Sequence, residues 1–290
     1  MEYGYGGSKK MIHMVPEFNA VAQSYDATFS HTAIGCMQRE RVWHYAGSLF
    51  NRKSAEKTAL AVLELNCGTG EDAIWFAKQG FQVLATDYAP EMVAVAKAKI
   101  ALAGLSGKVR VAVCPFEALE HLPEGNFDLI FSNFGGLNCV SPEILGKLGP
   151  LFTQKLLPGG KFIAVVMSRF SWWETLYFLL KKQPKKAFRR LHHKPVKARL
   201  DAQTTIATWY YSPQEFQKLL QFKGKCLSVK PIGLWLPPSY LNPFFEKRPR
   251  LLGFLNFLEK RCTPSWLAAA GDHFYVCLER TAEKDSRESN

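Results

Sequence analysis

The chain has 290 residues, 47% hydrophobic and 21% charged, with 37 Lys+Arg against 25 Asp+Glu for a formal net charge of +12. That length and apolar content suffice for one large core, or a core with an accessory lobe, and exclude a wholly disordered chain. Its seven cysteines, at 36, 67, 114, 139, 226, 262 and 277, contain no Cys-x-x-Cys pair, so zinc or dithiol redox chemistry is not indicated and reduced thiols in a cytoplasmic setting are expected.

Residues 1–14 carry no usable period and are expected to form a disordered lead. No basic-then-apolar leader and no apolar run of roughly 18 residues is visible, which disfavours secretion and membrane insertion. Phe18, Val21, Ala22, Tyr25 and Phe29 recur at steps of three and four, as do Val42, Tyr45, Ala46 and Phe50. This spacing predicts two helices ahead of the first strand. Short apolar runs at 61–65, 83–86, 109–113, 127–132 and 161–167 then read as buried parallel strands. Helical stretches at 71–79, 90–103 and 141–156 separate them, the second opened by Pro90 and stopped by Gly104. Leu157-Pro-Gly-Gly160 makes the turn into the fifth strand. Strands alternating with helices in this way predict a doubly wound parallel sheet that binds ligands at the carboxyl ends of its strands.

After Met167 the alternation stops, and Ser212-Pro-Gln-Glu215 then offers a capping box for a helix running to about Phe222. Strands are predicted at 226–235 and 273–280, flanking an apolar, proline-rich insert with a helix near 251–261. Residues 281–290 are too polar to pack and are expected to be a flexible tail. Between Lys181 and Arg199 the segment KKQPKKAFRRLHHKPVKAR has no acid at all.

Chemistry is concentrated in Val62-Leu-Glu-Leu-Asn-Cys-Gly-Thr-Gly-Glu71, followed by Ala85-Thr-Asp87. This is strand, glycine turn, helix, strand, acid. Gly68 and Gly70 let the backbone turn sharply and approach a ligand, and Asp87 stands where a carboxylate can bind a ribose. Asn66 occupies the first glycine position, and the lack of a third fingerprint glycine argues against a dinucleotide site. Further landmarks follow in order: Phe127-Asp-Leu-Ile-Phe-Ser-Asn133, Leu157-Pro-Gly-Gly160 and Gly271-Asp-His-Phe274. On these motifs the chain resembles the class I S-adenosylmethionine-dependent methyltransferases of small-molecule type, from about Phe18 to Arg280 and most strongly from Val62 to Lys161.

The resemblance implies an α/β, Rossmann-like fold with a seven-stranded, mostly parallel, doubly wound sheet in one domain, 15–280. It places N-terminal lid helices at 15–58 and substrate-side inserts after the fifth and sixth strands, at 168–211 and 235–271. The implied cofactor is S-adenosylmethionine. Gly68, Thr69 and Gly70 would lie against its methionine moiety, with Asn66 and Cys67 also in the cofactor site and Glu64 ordering the turn or contacting ligand through water. Asp87 would accept from both ribose hydroxyls, its alternative role being a cap for the 90–103 helix; Tyr88 and Met92 would pack beside the adenosine. Where the family offers an acid after the third strand, this chain has Cys114-Pro115, which leaves adenine to the Phe116 backbone or to Glu117. Asn133 and Phe134 end the fourth strand, and Asn133-Phe-Gly-Gly136 departs from the Asn-Pro-Pro-Tyr tetrad of nucleobase methyltransferases.

Methyl transfer from a sulfonium chiefly requires alignment and exclusion of water, so a general base is optional. Tyr25, Asp26, His31 and His273 are the candidates. Against these roles stand core packing for Tyr25, solvation for His31 and a strand-end cap for His273. No metal-ligand cluster is visible, and metal-independent transfer is expected. Aromatic residues in 170–180, 235–240 and at Phe244-Phe245 suggest an apolar pocket or simply a packed stripe. With the basic segment 181–199 beside them, the expected partner is a small or lipid-like acceptor with an apolar body and an anionic part, or an anionic membrane contacted peripherally. An RNA methyltransferase, or a nucleotide-binding protein of NAD or non-catalytic type, are the alternatives. Acceptor identity, attacking atom and oligomeric state are open from sequence.

Overall fold

A computed structural model describes residues 17–50, 59–122 and 127–281. The lead expected at 1–14 and nearly all of the tail expected at 281–290 lie outside the described residues. In chain order, α1 (Ala33–Gly47) precedes β1 (Ala61–Leu65), α2 (Glu71–Lys78), β2 (Gln82–Asp87), α3 (Pro90–Leu102), β3 (Val109–Val113), β4 (Phe127–Ser132), α4 (Pro142–Lys155) and β5 (Leu156–Met167). The first insert holds α5 (Trp172–Leu180), α6 (Pro184–Ala187) and a hairpin of β6 (Val196–Arg199) and β7 (Thr205–Thr208). There follow α7 (Pro213–Leu220), β8 (Gly224–Ile232), α8 (Asn242–Phe245), α9 (Pro249–Arg261) and β9 (His273–Arg280).

The main sheet runs β3-β2-β1-β4-β5-β9-β8. Its first five strands pair in parallel, while β9 is antiparallel to both β5 and β8. Alternation along each strand sends neighbours to opposite faces, and both faces are apolar. Val62, Leu129 and Ile163 face α1, α2 and α3, where Val42, Phe76 and Ile100 meet them. Leu63, Ile130 and Phe162 face α4 and α7, meeting Leu148, Phe152 and Phe216. This is the expected doubly wound, seven-stranded architecture.

Three local expectations are revised. The periodic stretch from Phe18 to Phe29 folds as a 3-10 turn (Glu17–Val21) and a π turn (Asp26–Ser30), in which the His31 N–H reaches the Asp26 carbonyl at 2.7 Å. The next helix begins at Ala33 rather than near Val42, capped by Thr32, whose hydroxyl accepts the Gly35 N–H. Its first turns bury Gln38 and Arg39, polar residues that hide the apolar period. The fifth strand already pairs at Leu156, and 157–160 forms a bulge before pairing resumes at Lys161. The sixth strand of the main sheet ends at Ile232, where Gly233 adopts φ +68°. At Ser212 and Glu215 the capping box is formed as the sequence predicts.

Candidate active site

The end of β1 turns through three left-handed residues, Asn66 (φ +47°), Gly68 (+53°) and Gly70 (+84°). Asn66 is no mere crowding of this turn. Its amide donates to the Asn133 carbonyl at 2.8 Å and accepts the Ser132 hydroxyl at 2.6 Å, tying the end of β1 to the end of β4. A Cβ at position 136 would fall 2.1 Å from Asn66 Cγ, so the tether depends on Gly136. At Gly70 the constraint comes from packing: a Cβ there would approach the Ala96 Cβ to 3.1 Å, which would push α2 off α3.

Asp87, at the end of β2, accepts the Gly68 N–H on Oδ2 and the Ala89 N–H on Oδ1, both at 2.9 Å. Burial raises its pKa, against the pull of these amides. The carboxylate therefore shapes both the glycine turn and the entry to α3. Each oxygen retains further acceptor capacity.

Beneath the turn, Asp72 accepts hydrogen bonds from Arg39, from Trp43 Nε1 at 2.6 Å and from Asn133 Nδ2 at 3.0 Å. The Arg39 guanidinium lies 5.1 Å from the Phe134 ring centroid. Glu64 is buried, and burial together with Asp72 and Asp87 pushes its carboxyl well above the usual range, with Arg39 opposing. Glu64 Oε2 and Arg39 Nε are buried without a hydrogen-bond partner. Tyr25, Arg39, the 66–69 turn, Asp72 and Phe134 are among the residues lining a pocket here, and Glu64 is not one of them.

A lid covers this pocket. The Tyr25 ring sits 3.9 Å from the Cβ position of Gly68, and Phe29 bridges Tyr25 to Phe134 with centroid distances of 5.5 and 5.4 Å. Burial pushes the Tyr25 hydroxyl up to about 12, so it stays protonated at neutral pH. Asp26 accepts the Thr69 hydroxyl and Lys99 Nζ, each at 2.5 Å. Glu71 accepts Lys99 Nζ at 2.5 Å and pairs with the exposed His31 at 2.8 Å. Although burial opposes ionisation, the Lys99 hydrogen bonds hold both carboxyls below their ordinary values. Among the described residues Asp26, His31 and Glu71 could converge on a cation, but the Lys99 ammonium already supplies positive charge there.

His273 opens β9 behind the Phe134 wall, ring centroids 5.4 Å apart. It is buried, and burial lowers its pKa despite Asp272, whose Oδ2 lies 3.4 Å from Nδ1. Arg190 joins Asp272 (2.8 Å) to Glu174 (2.7 Å), and Arg189 grips Glu174 through two further bonds of 2.8 and 3.1 Å. Two cations of the 181–199 segment are thus internal struts, a use its composition did not reveal.

The remaining candidates are spread more widely. Met92 is buried with Val21, Ala22 and Ala89, where the N-terminal segment packs on α3, and the Tyr88 hydroxyl donates to Glu17 at 3.0 Å. Phe116 and Glu117 lie in the 3-10 turn after β3, the first packed on the α4-side core and the second exposed; neither lines the pocket. Sequence reasoning missed Arg39 and Asp72, which lie on separate helices and carry no shared motif. All seven cysteines are free thiols.

Residues 62–160 match a family model described as methyltransferase domain. Over 112 residues the chain is 34% identical to a demethylmenaquinone methyltransferase of Thermus thermophilus, covering 38% of this chain and 48% of that protein. A protein of the same name from Beutenbergia cavernae is 30% identical over 164 residues, covering 55% and 61%. The matches thus span only about half to three fifths of these relatives' own length. Among solved structures, a phosphoethanolamine N-methyltransferase 2 of Haemonchus contortus superposes with TM-score 0.58 at 16% identity, covering 95% of this chain and 62% of that one. An S-adenosylmethionine-dependent methyltransferase of Mesorhizobium loti gives 0.51 at 18%, covering 83% and 98%. These structural likenesses are of fold. Residues 62–160 thus resemble a methyltransferase domain, and the fold is shared with solved S-adenosylmethionine-dependent methyltransferases.

Proposed function

We propose that the protein transfers a methyl group from S-adenosylmethionine to a small or lipid-like acceptor with an apolar body and an anionic part. The observation that carries this reading is the pocket floor. Arg39, with an unpaired guanidinium nitrogen, and the acid Asp72 line it together with the glycine turn, while the buried Glu64 interacts electrostatically with both from outside the lining. A donor set of both signs fits the zwitterionic amino-acid end of that cofactor, and the spare acceptor positions of Asp87 fit ribose hydroxyls. When bound, the cofactor supplies a methyl group on a positively charged sulfur.

The chain's own residues then have to orient and dry the site. Tyr25, Phe29 and Phe134 wall it from water. Of the four candidate bases, Tyr25 keeps its proton, Asp26 and His31 are engaged by Lys99 and Glu71, and His273 is held neutral by burial behind the Phe134 wall. The transfer is accordingly read as resting on alignment and exclusion of water rather than on a base in the pocket. The relatives named for demethylmenaquinone support an acceptor with an apolar body.

Isothermal titration with S-adenosylmethionine, S-adenosylhomocysteine and NAD tests the cofactor, and transfer of labelled methyl to a demethylated quinone or to RNA tests the acceptor. Binding of the first two ligands and transfer to the quinone are expected. Binding of NAD instead would favour a dinucleotide protein, and transfer to RNA would overturn the acceptor class.

A further inference from the structure

Helix α9 has two apolar faces, and only one of them is covered. Leu252 and Leu255 turn inward onto Ile34, Trp173 and Phe245. On the other side Leu251, Phe254 and Phe257 are 43%, 57% and 55% exposed, at the three-residue spacing that lines up one helical face. A surface helix of a globular protein ordinarily turns charged or polar residues outward. Helix α5, whose Trp173 belongs to the same inner cluster, behaves likewise: Leu176, Leu179 and Leu180 are exposed, Leu180 by 76%.

The outward charges carried by these two helices are cations, although the exposed Glu40 of α1 lies 3.9 Å from Lys260 of α9. Glu174 of α5 and Glu259 of α9 are the acids of the two helices, and both are buried. Glu174 is neutralised by Arg189 and Arg190, while Glu259 accepts the N–H groups of Gly233, Trp235 and Leu236. Outward stand the exposed cations Lys181, Lys182, Lys185 and Lys186 beyond α5, with Arg250 and Arg261 at the two ends of α9. Arg261 lies over Phe257, Lys181 over Tyr177 and Lys186 over Phe178, at 5.5 to 5.8 Å from the ring centroids.

We infer that the outward faces of α5 and α9 form a docking surface for an anionic lipid bilayer. Exposed Leu and Phe set among Lys and Arg, with each helix's acid turned inward, suit a headgroup layer: apolar side chains enter the interface while cations meet lipid phosphates. No described helix is long and apolar enough to cross a membrane, so the contact is peripheral. α5 also follows β5 closely, and β5 ends at the strand edge that carries the candidate pocket. A docked molecule would therefore present that edge toward the lipid layer.

The test is co-sedimentation of the full chain with phosphatidylcholine vesicles, with and without phosphatidylglycerol, at low and high salt. Binding to the phosphatidylglycerol vesicles that weakens with salt is expected. The double variant Phe254→Ser with Phe257→Ser, and separately Lys181→Glu with Lys182→Glu, should each lower partitioning about tenfold or more. Cofactor titration of both variants should match the parent, showing that they fold. Absence of binding to phosphatidylglycerol vesicles, or equal binding by the Phe variant, would overturn the proposal. If light scattering instead shows a parent dimer that the Phe variant splits, without vesicle binding, the face belongs to a second copy. Vesicle binding is read without methyl transfer, so it can fail while the proposed activity stands.

Discussion

The strands β1 to β5 and the inserted segments that follow them are held by different physics. In the first region the site is made from backbone: three left-handed residues, one carboxylate clasping two amides, and a sheet covered with apolar side chains on both faces. In the second, buried charge does the positioning, through Glu174, Arg189, Arg190 and Asp272, and through Glu259 beneath the loop at 233–236. A backbone site can be altered in small steps. A buried ion network fails abruptly when one member goes, because the partner left behind has lost water without gaining a counter-charge.

That contrast is most exposed at Arg190. Arg190→Ala removes the arginine partner of buried Asp272 and leaves Glu174 to Arg189 alone, and should cost about 3–5 kcal/mol of stability, read as a large fall in melting temperature. If the parent and the variant melt alike, the insert is not held by charge. Asp87→Ala should act mainly on the first region, weakening S-adenosylmethionine binding by about 1–3 kcal/mol in a titration of folded protein. Unchanged affinity would show that the carboxylate serves the turn alone. Asn66→Ala loses both tethers and keeps a left-handed φ without Asn's tolerance for it, so chemical denaturation should register about 1–2 kcal/mol.

The smallest effect is expected from Glu64→Gln, and it depends on pH. Glu64 is raised in the folded protein, so its contribution is full below the ordinary carboxyl pKa and is lost as pH rises toward the folded value. Glutamine carries no such term. The variant should therefore gain stability relative to the parent as pH increases, and denaturation curves that keep a constant offset across pH would refute this. Asp26, Glu71 and Asp272 are lowered instead, so their contributions, common to parent and variant, are lost as pH falls.

The first region was largely legible in the sequence because its signals are local. Gly68, Gly70 and Asp87 sit at strand ends that an apolar run announces, and Ser212 with Glu215 announces a helix start in four residues. The second region was legible mainly as composition. An acid-free stretch at 181–199 could be read as basic, but not divided into cations that point outward and two arginines that point in. The hairpin of β6 and β7 was hidden for a related reason: with polar residues on its exposed side, it lacks the apolar run by which a buried strand is recognised.

By itself the sequence determined the order of strands and helices from β1 to β5, the glycine turn with its distal acid, and the doubly wound class. Each of these depends on periodicity or backbone freedom within a few residues. Only the tertiary structure decided that Arg39 and Asp72 form the pocket floor, that Asn66 clamps β1 to β4, and that α9 leaves one apolar face outside. These features join side chains far apart in the chain, and burial and charge pairing arise only when the fold has brought such groups within a few ångströms and removed the water between them.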